Sequence, residues 1–158
     1  MSSPIGRLEL VESGGALVAI RFDAPPDGAE AARGGAAVLG EARRQLEEYF
    51  AGERRVFDLP LRPSGTGFLR RVWDRVAAVP WGTTTTYGAI ARRMGLPVGA
   101  ARAVGAANGA NPLPIVLPCH RVVGSDGRLT GYAGGLARKD GLLRLEGVGG
   151  TVGQDALF

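Results

Sequence analysis

Apolar and polar residues alternate with a period of two in two short stretches near the start of the chain. Residues 8–10 and 18–22 have this period, which predicts strands, and the Ser-Gly-Gly segment at residues 13–15 predicts a turn between them. A helical period follows, and Gly52 is placed to end that helix. The apolar residues with this spacing are Leu39, Ala42, Leu46, Tyr49 and Phe50.

The other residues of this first part are predicted to connect these elements. Residues 23–35 are rich in Pro, Gly and Ala, which predicts a loop, and residues 57–61 have the composition of a further short strand. No pattern of reactive side chains lies among them. We therefore interpret residues 1–65 as a small N-terminal α+β domain that supports the rest of the chain.

The second half of the chain has mainly helical spacing. An apolar stripe begins after Thr66, a suitable N-cap, and stops at Pro80. Its members are Phe68, Leu69, Val72, Trp73, Val76 and Val79. Two shorter helices are predicted over residues 85–94 and 99–107. The Gly-containing turn between them is typical of a helix-turn-helix, although any pair of antiparallel helices shares this pattern.

A stiff, extended connector is predicted to follow this helix pair. Residues 108–114 contain two prolines, which fix φ and keep the preceding residues out of the helical region. Residues 122–130 then predict a short hairpin with a tight turn, and residues 136–146 a final helix. The predicted fold class is α+β. Its second domain, residues 66–148, is mainly helical and winged-helix-like, with the helix-turn-helix inside it, and residues 149–158 form a tail.

Composition limits the classes of protein to which the chain can belong. It has 158 residues, and no apolar run approaches the length of a membrane span, so no membrane association is expected. The first residues lack the basic and apolar regions of a secretory signal, and a single cysteine cannot form an internal disulfide. We therefore expect a cytoplasmic protein. One cysteine and one histidine cannot build a zinc site of the usual type, so no metal or other cofactor is expected.

Positive charge is concentrated in the second half of the chain. Residues 1–67 contain 8 Arg against 10 acidic residues, whereas residues 68–148 contain 11 basic against 4 acidic residues. A basic region around a reactive site is typical of proteins that bind nucleic acid. A solvated surface, or a biased base composition of the gene, would give the same asymmetry.

Cys119 and His120 are the only cysteine and the only histidine of the chain, and they are adjacent in a largely apolar segment, residues 115–123. A thiolate is a strong nucleophile, and a neighbouring base or cation makes it available at neutral pH. The pair therefore indicates nucleophilic chemistry. The alternative is that the cysteine is a small buried apolar residue and the histidine a structural one.

Two polar residues stand out in the segment before Cys119, one in the second helix of the pair and one after it. Arg102 is the only charged residue of the predicted helix over residues 99–107, and its neighbours are mostly Gly and Ala. Small side chains let a helix approach another surface closely while one long cation projects, but tight packing inside the domain would use the same residues. Asn111 is expected either to tie the following turn together through backbone hydrogen bonds or to be an ordinary turn residue.

The segment from Asn111 to Val122 resembles a specific family pattern. Its Asn-Pro-x-Pro-Ile lead-in and Pro-Cys-His-Arg core are similar to those of the O6-alkylguanine-DNA alkyltransferases, also called methylated-DNA–protein-cysteine methyltransferases. The resemblance covers about residues 66–148 and extends to further motifs. These are Val79-Pro80-Trp81-Gly82, Thr86-Tyr87, Ala101-Arg102-Ala103-Val104-Gly105, Gly131-Tyr132-Ala133-Gly134-Gly135-Leu136, Lys139, and Leu142-Leu143 with Glu146.

The resemblance implies a catalytic role for several residues. Cys119 would accept the alkyl group, His120 would act as base through a water molecule, and Glu146 would orient the imidazole. Asn111 would be the hinge between the DNA-binding helices and an active-site strand. The backbone carbonyls of Cys119 and Val122 would accept from the guanine amino group. The thioether product would not be hydrolysed, so each molecule would act once.

The resemblance also implies the contacts with DNA. The partner would be double-stranded DNA that contains O6-alkylguanine, bound through its minor groove by a monomer, with the damaged base flipped out. Arg102 would fill the stack in place of that base, and Tyr87 would contact the base and its phosphate. The backbone of Ala133 would donate toward O6, and Ser125 would contact a phosphate.

Two departures from the family pattern, and two other functions, bear on these roles. Ala133 stands where some members have Ser, so only its backbone N–H would serve the oxygen, and the N-terminal zinc ligands of some relatives are absent. A Cys-His-Glu hydrolase would use the same reactive residues but would leave Arg102 unexplained. A DNA-binding regulator would use the helix pair but would leave Cys119 and His120 unexplained.

Overall fold

The computed structural model describes residues 1–25 and 36–149. The chain divides into two compact units, Met1–Ser64 and Gly65–Phe158. The first contains strands and one helix and the second is mainly helical, which confirms the predicted α+β class. Within the described ranges, no helix has both the length and the apolar composition to cross a membrane.

The first unit begins with an antiparallel strand pair. Strands β1 (Leu8–Ser13) and β2 (Ala16–Phe22) confirm the two predicted strands. Gly14 and Gly15 join them with φ angles of 58° and 85°, which residues other than glycine rarely adopt. The predicted loop after β2 lies outside the described residues from residue 26 to residue 35.

Helix α1 (Ala36–Phe50) packs against both strands and buries the predicted face. Its buried apolar residues are Leu39, Ala42, Leu46 and Tyr49. The short strand predicted over residues 57–61 is wrong, because Leu61 makes only an isolated parallel bridge with Leu17. Pro60 and Pro63 have no N–H to donate, which prevents a longer ladder there.

The second unit begins with helix α2 (Gly67–Ala77), which confirms the predicted apolar stripe. The Thr66 hydroxyl accepts from Leu69 N–H and caps the helix, as expected. The Trp73 indole N–H donates to the carbonyl oxygen of Ala107 at 2.8 Å. This buried hydrogen bond ties α2 to the helix that contains Ala107.

The predicted helix pair is confirmed as α3 (Tyr87–Arg93) and α4 (Ala101–Gly109), which pack against each other. The Thr86 hydroxyl accepts from Ala89 N–H and caps α3. A 3₁₀ turn, Val98–Ala100, leads into α4. The pair thus has the helix-turn-helix order that the spacing predicts.

The extended connector predicted after α4 is wrong. Helix α4 continues to Gly109, and the chain then makes consecutive turns, in which Leu117 N–H donates to the Leu113 carbonyl at 2.9 Å. Leu113 and Leu117 are buried. A buried segment must satisfy its own backbone polar groups, and turns do this where an isolated extended segment cannot.

The predicted hairpin over residues 122–130 is replaced by a parallel strand pair. Strand β3 (Thr85–Thr86) pairs with strand β4 (Val122–Val123), although the predicted tight turn is present and Gly124 N–H donates to the Arg128 carbonyl at 2.9 Å. Because β3 directly precedes Tyr87, this pairing holds the start of α3 beside the Cys119 segment. Helix α5 (Leu136–Leu145) then closes the described fold, and the predicted tail lies outside it from residue 150.

Candidate active site

The chain's only thiol lies in a 3₁₀ turn, Cys119–Arg121, rather than on the expected strand. Cys119 is 5% exposed. Burial raises the pKa of its thiol, and the Asn111 side chain and the positive charge of Lys139 oppose that rise. A thiol in this environment needs a nearby base to form the nucleophilic thiolate.

His120 and Glu146 form a buried hydrogen-bonded pair, with Nε2 of the imidazole 2.7 Å from Oε1 of the carboxylate. Burial opposes ionisation of Glu146, but hydrogen bonds from His120 and Arg121 outweigh it and lower the pKa of that carboxyl to about 2. An ionised carboxylate only accepts, so His120 Nε2 carries the hydrogen. The lone pair of the neutral imidazole is then on Nδ1.

The free lone pair makes His120 suitable as a base. Burial lowers the pKa of His120, so the imidazole is neutral near pH 7. His120 Nδ1 is buried, and no group among the described residues forms a hydrogen bond with it. Glu146 fixes the tautomer and the ring orientation, which is the arrangement of base and orienting acid in a catalytic triad.

Arg121 completes this network, although the sequence patterns predict no role for it. Its Nε donates to Glu146 Oε2 and its Nη2 to Oε1, both at 2.8 Å, and its Nη1 donates to the Val79 carbonyl at 2.6 Å. Such a bidentate pair holds a carboxylate in a fixed plane. The signal was present, because an arginine between His120 and Val122 in an apolar segment requires a buried acidic partner.

Asn111 makes backbone hydrogen bonds, which is the first of the two alternatives expected for it from the sequence. Its Nδ2 donates to the Leu117 carbonyl at 2.9 Å, and its Oδ1 accepts from Leu113 N–H at 2.9 Å. The side chain is buried within the turns that lead to Cys119. Asn111 thereby connects the residues that follow α4 to the segment just before the thiol.

A second asparagine, Asn108, contacts the Cys119 backbone directly and was also missed. Its Nδ2 donates to the Cys119 carbonyl at 3.2 Å, and that oxygen also accepts from Val122 N–H. A carbonyl has two lone pairs, so the expected contact with a guanine amino group would add a third donor to this oxygen. Asn108 lies on α4, which makes it a direct link between that helix and the nucleophile.

Four of the predicted DNA-binding or substrate-binding residues line one pocket of about 630 Å³. They are Tyr87, Arg102, Ser125 and Ala133. The fifth, Val122, is buried, as are the four predicted catalytic residues, Cys119, His120, Asn111 and Glu146. The structure therefore divides the predicted residues into a buried reactive group and a group around an open pocket.

Electrostatic coupling connects the pocket wall to the thiol. Burial raises the pKa of Tyr132, which lines the pocket, and the charge of Cys119 raises it further. Burial lowers the pKa of Lys139 to about 8, against the opposing influence of Cys119. The Lys139 ammonium donates to the Thr130 carbonyl at 2.8 Å. Lys139 and Thr130 were not predicted to be functional, although Lys139 belongs to the motifs of the family resemblance.

Together these contacts provide a nucleophile, a base with a fixed tautomer, and a pocket whose wall, at Tyr132, is electrostatically influenced by Cys119. The arrangement suits removal of the Cys119 proton by His120 and attack on an electrophile that enters from the pocket. Among the described residues, no group of three or more His, Cys, Asp or Glu side chains is placed to hold a metal ion.

Comparison with known proteins agrees with this chemistry. Residues 67–148 match the DNA-binding domain of 6-O-methylguanine DNA methyltransferase, and residues 1–63 match its ribonuclease-like domain. The chain is 47% identical to the methylated-DNA–protein-cysteine methyltransferase of Mycobacterium tuberculosis, over 92% of this chain and 89% of the relative. It is 56% identical to the protein of the same name from Methanosarcina acetivorans, over 68% of each chain.

The fold is also similar to solved structures. A crystal structure of Mycobacterium tuberculosis OGT in complex with DNA superposes with a TM-score of 0.82 at 46% identity, and the match covers 92% of this chain and 89% of that one. Both domain matches and the near full-length relatives point the same way. The chain therefore belongs to the family of 6-O-methylguanine DNA methyltransferases.

Proposed function

We propose that this protein repairs DNA by transferring the alkyl group of O6-alkylguanine to its own Cys119. The observation that carries the proposal is the buried His120–Glu146 pair, whose histidine directly follows the only cysteine in the sequence, in a chain of this family. Its relatives are named for methyl transfer from DNA to a protein cysteine. Cys119 is the single cysteine that can play that part here.

The reaction would proceed in one displacement after the thiol loses its proton. The proton passes through a water molecule to His120 Nδ1, and the thiolate attacks the sp³ carbon of the alkyl group. The S–C bond forms as the C–O bond breaks, and guanine leaves with the electron pair and takes up a proton. The thioether has no carbonyl for water to attack, so Cys119 stays alkylated and the protein acts once.

The pocket supplies contacts for the flipped guanine. The Tyr87 hydroxyl would donate to the purine ring, and the Ala133 N–H toward O6, where negative charge develops as the base leaves. The Val122 carbonyl would accept from the guanine amino group. Ser125, at the exposed rim, would contact a phosphate.

Helix α4 would enter the minor groove with its small exposed residues against the DNA. Arg102, Ala103, Ala106 and Gly109 are exposed, whereas Val104 and Ala107 are buried against the rest of the unit. This face lets the helix approach closely while Arg102 projects into the stack in place of the extruded base. Filling that space offsets part of the cost of flipping, which is a few kcal/mol.

The remaining parts of the proposal concern the whole chain. Residues 66–148 would bind DNA and carry out the transfer, and residues 1–65 would support them. Cys119, His120 and Glu146 come from one chain, so a monomer would suffice. The unpaired thiol fits the reducing cytoplasm, which we propose as the location of the protein.

The decisive experiment is intact-mass analysis after incubation with a duplex that contains O6-methylguanine. We expect one methyl group per molecule, located on Cys119 by peptide mapping, and no further turnover with excess DNA. Cys119→Ser provides the matched control and should remain unmodified. Repeated turnover would favour the hydrolase alternative, and a methyl group on another residue would contradict the mechanism.

Replacing Arg102 with alanine should affect extrusion of the base rather than bond formation. We expect the transfer rate at saturating duplex to fall roughly 30- to 150-fold, because the flipped state loses the side chain that fills the stack. The reaction with the free base O6-methylguanine should change little, since free base needs no flipping. The measurement is the ratio of the two single-turnover rate constants.

Arg93→Ala is the control for the loss of a positive charge, because it removes an exposed arginine from α3 and leaves Arg102 in place. This variant should weaken DNA binding in a salt-dependent way but keep the ratio of the two rate constants. Equal losses on duplex and free base in Arg102→Ala would show instead that Arg102 supports the fold.

A further inference from the structure

The Tyr87 hydroxyl, proposed above to meet the substrate, is already engaged within the protein. Tyr87 Oη lies 2.9 Å from Thr130 Oγ1, and both residues line the 630 Å³ pocket. Neither the motifs of the sequence nor the proposed function assigns a part to Thr130. Its hydroxyl is nevertheless the protein group that contacts the polar end of Tyr87.

Tyr87 is held in place from the side of the helices. It is the first residue of α3, and the Thr86 cap fixes the start of that helix. Its ring lies beside α4, where a Cβ added at Gly105 would be 3.7 Å from Tyr87 Cδ1. The side chain thus lies between α4 and the segment that contains Thr130.

Thr130 is positioned by contacts on the side of the pocket away from α3 and α4. Leu129, the residue before it, is buried in a cluster with Val123 and Leu143. The Thr130 carbonyl accepts a hydrogen bond from the buried Lys139 ammonium at 2.8 Å. The hydroxyl contact itself is exposed, and it is positioned by the Thr86 cap on the Tyr87 side and by the buried Leu129 and Lys139 on the Thr130 side.

We propose that Thr130 is a positioning residue, whose hydroxyl donates to Tyr87 Oη and thereby directs the Tyr87 hydroxyl hydrogen at the leaving purine. This rests on the proposed alkyl transfer. Each hydroxyl has one hydrogen to donate. If Tyr87 donated to Thr130, its hydrogen would be used and could not stabilise the purine. With Thr130 as donor, the two hydroxyls act in series, and each hydrogen bond polarises the next.

The test compares Thr130→Val with Thr130→Ser. Valine keeps the branched shape and the carbonyl that Lys139 uses but removes the hydroxyl, whereas serine retains it. We expect valine to lower the maximal single-turnover rate on O6-methylguanine duplex about 3- to 10-fold, as for one hydrogen bond lost in the transition state. The DNA concentration for half-maximal rate should stay unchanged, and serine should restore the rate to within about twofold of wild type.

The Tyr87→Phe background shows whether Thr130 acts through Tyr87. There, Thr130→Val should cause no further loss of rate, because the hydroxyl that it positions is gone. A full valine effect in that background, a wild-type rate for Thr130→Val, or failure of serine to rescue would overturn the proposal. In each of these cases wild-type protein would still methylate Cys119. Absence of methylation in wild type would instead overturn the proposed function, and this inference with it.

Discussion

Replacing His120 with alanine is expected to slow alkyl transfer about 10²- to 10⁴-fold at neutral pH, the usual contribution of a general base. Burial raises the pKa of Cys119, so little thiolate forms unless a group removes the proton. Glu146 fixes the tautomer of the His120 imidazole, in which Nδ1 is the atom that accepts the proton. The measurement is the single-turnover rate constant at saturating O6-methylguanine duplex.

The deficit should shrink as the pH is raised, because hydroxide then forms the thiolate without the imidazole. His120→Gln is the matched control, since its amide can still donate to Glu146 but cannot take up the proton. We expect both variants to be slow and to bind duplex with wild-type affinity. Wild-type rates across neutral pH in both would remove the base from the mechanism.

Replacing Glu146 with glutamine is expected to reduce the free energy of unfolding by about 3–5 kcal/mol, the usual effect of breaking a buried ion pair. Arg121 would keep its charge but lose its partner, because both of its hydrogen bonds to side-chain oxygens go to this carboxylate. Transfer should also slow, since the tautomer of His120 would no longer be fixed. Urea unfolding at pH 7 measures the first effect and single-turnover kinetics the second.

The double variant His120→Ala, Glu146→Gln separates these two roles. If Glu146 acts on the reaction through His120, the double variant should be no slower than His120→Ala. The stability loss should persist in the double variant, because it comes from Arg121. Additive rate losses would mean that Glu146 affects the reaction by another route.

The stability effect should depend on pH in a defined direction. The pKa of Glu146 is lowered from 4.5 to about 2 in the folded state, so its contribution is complete above the ordinary value. It is lost as the pH falls from that value toward 2, as the folded state takes up the proton. In Glu146→Gln, the free energy of unfolding should therefore fall less steeply than in wild type between pH 4.5 and about pH 2. Near pH 7, the pH dependence of the two proteins should be parallel.

Local patterns predicted the elements of the fold better than the contacts between distant segments. Thr66 and the stripe through Val76 predicted α2, because capping and helical spacing are properties of neighbouring residues. The pairing of Thr85 with Val122 had no such signal, since a two-residue strand has no period. The turn at Cys119 was likewise hidden, because burial rather than local preference decides its conformation.

The same distinction applies to the site. Cys119 and His120 were visible because they are adjacent and unique in the chain. Glu146 and its bond to His120 came from the family resemblance, whereas the contact of Arg121 with Glu146 joins segments that no spacing rule connects. The hydrogen bond from Asn108 to Cys119 was not predicted either, because the sequence placed Asn108 in an extended connector, whereas it lies on helix α4.

Because Asn108 donates a hydrogen bond to the Cys119 carbonyl, helix α4 sets the spacing between Arg102 and the segment that contains the thiol. Arg102 and Asn108 lie on this one rigid element, and the rise of a helix puts them about 9 Å apart along its axis. Inserting a single residue between them would rotate one end by about 100° relative to the other. The small side chains on the exposed face of α4 can therefore vary during evolution. A change in the length of α4, however, would displace Cys119 relative to the DNA that Arg102 contacts. An engineered protein in which another DNA-binding helix replaces α4 would have to preserve the spacing between the positions of Arg102 and Asn108.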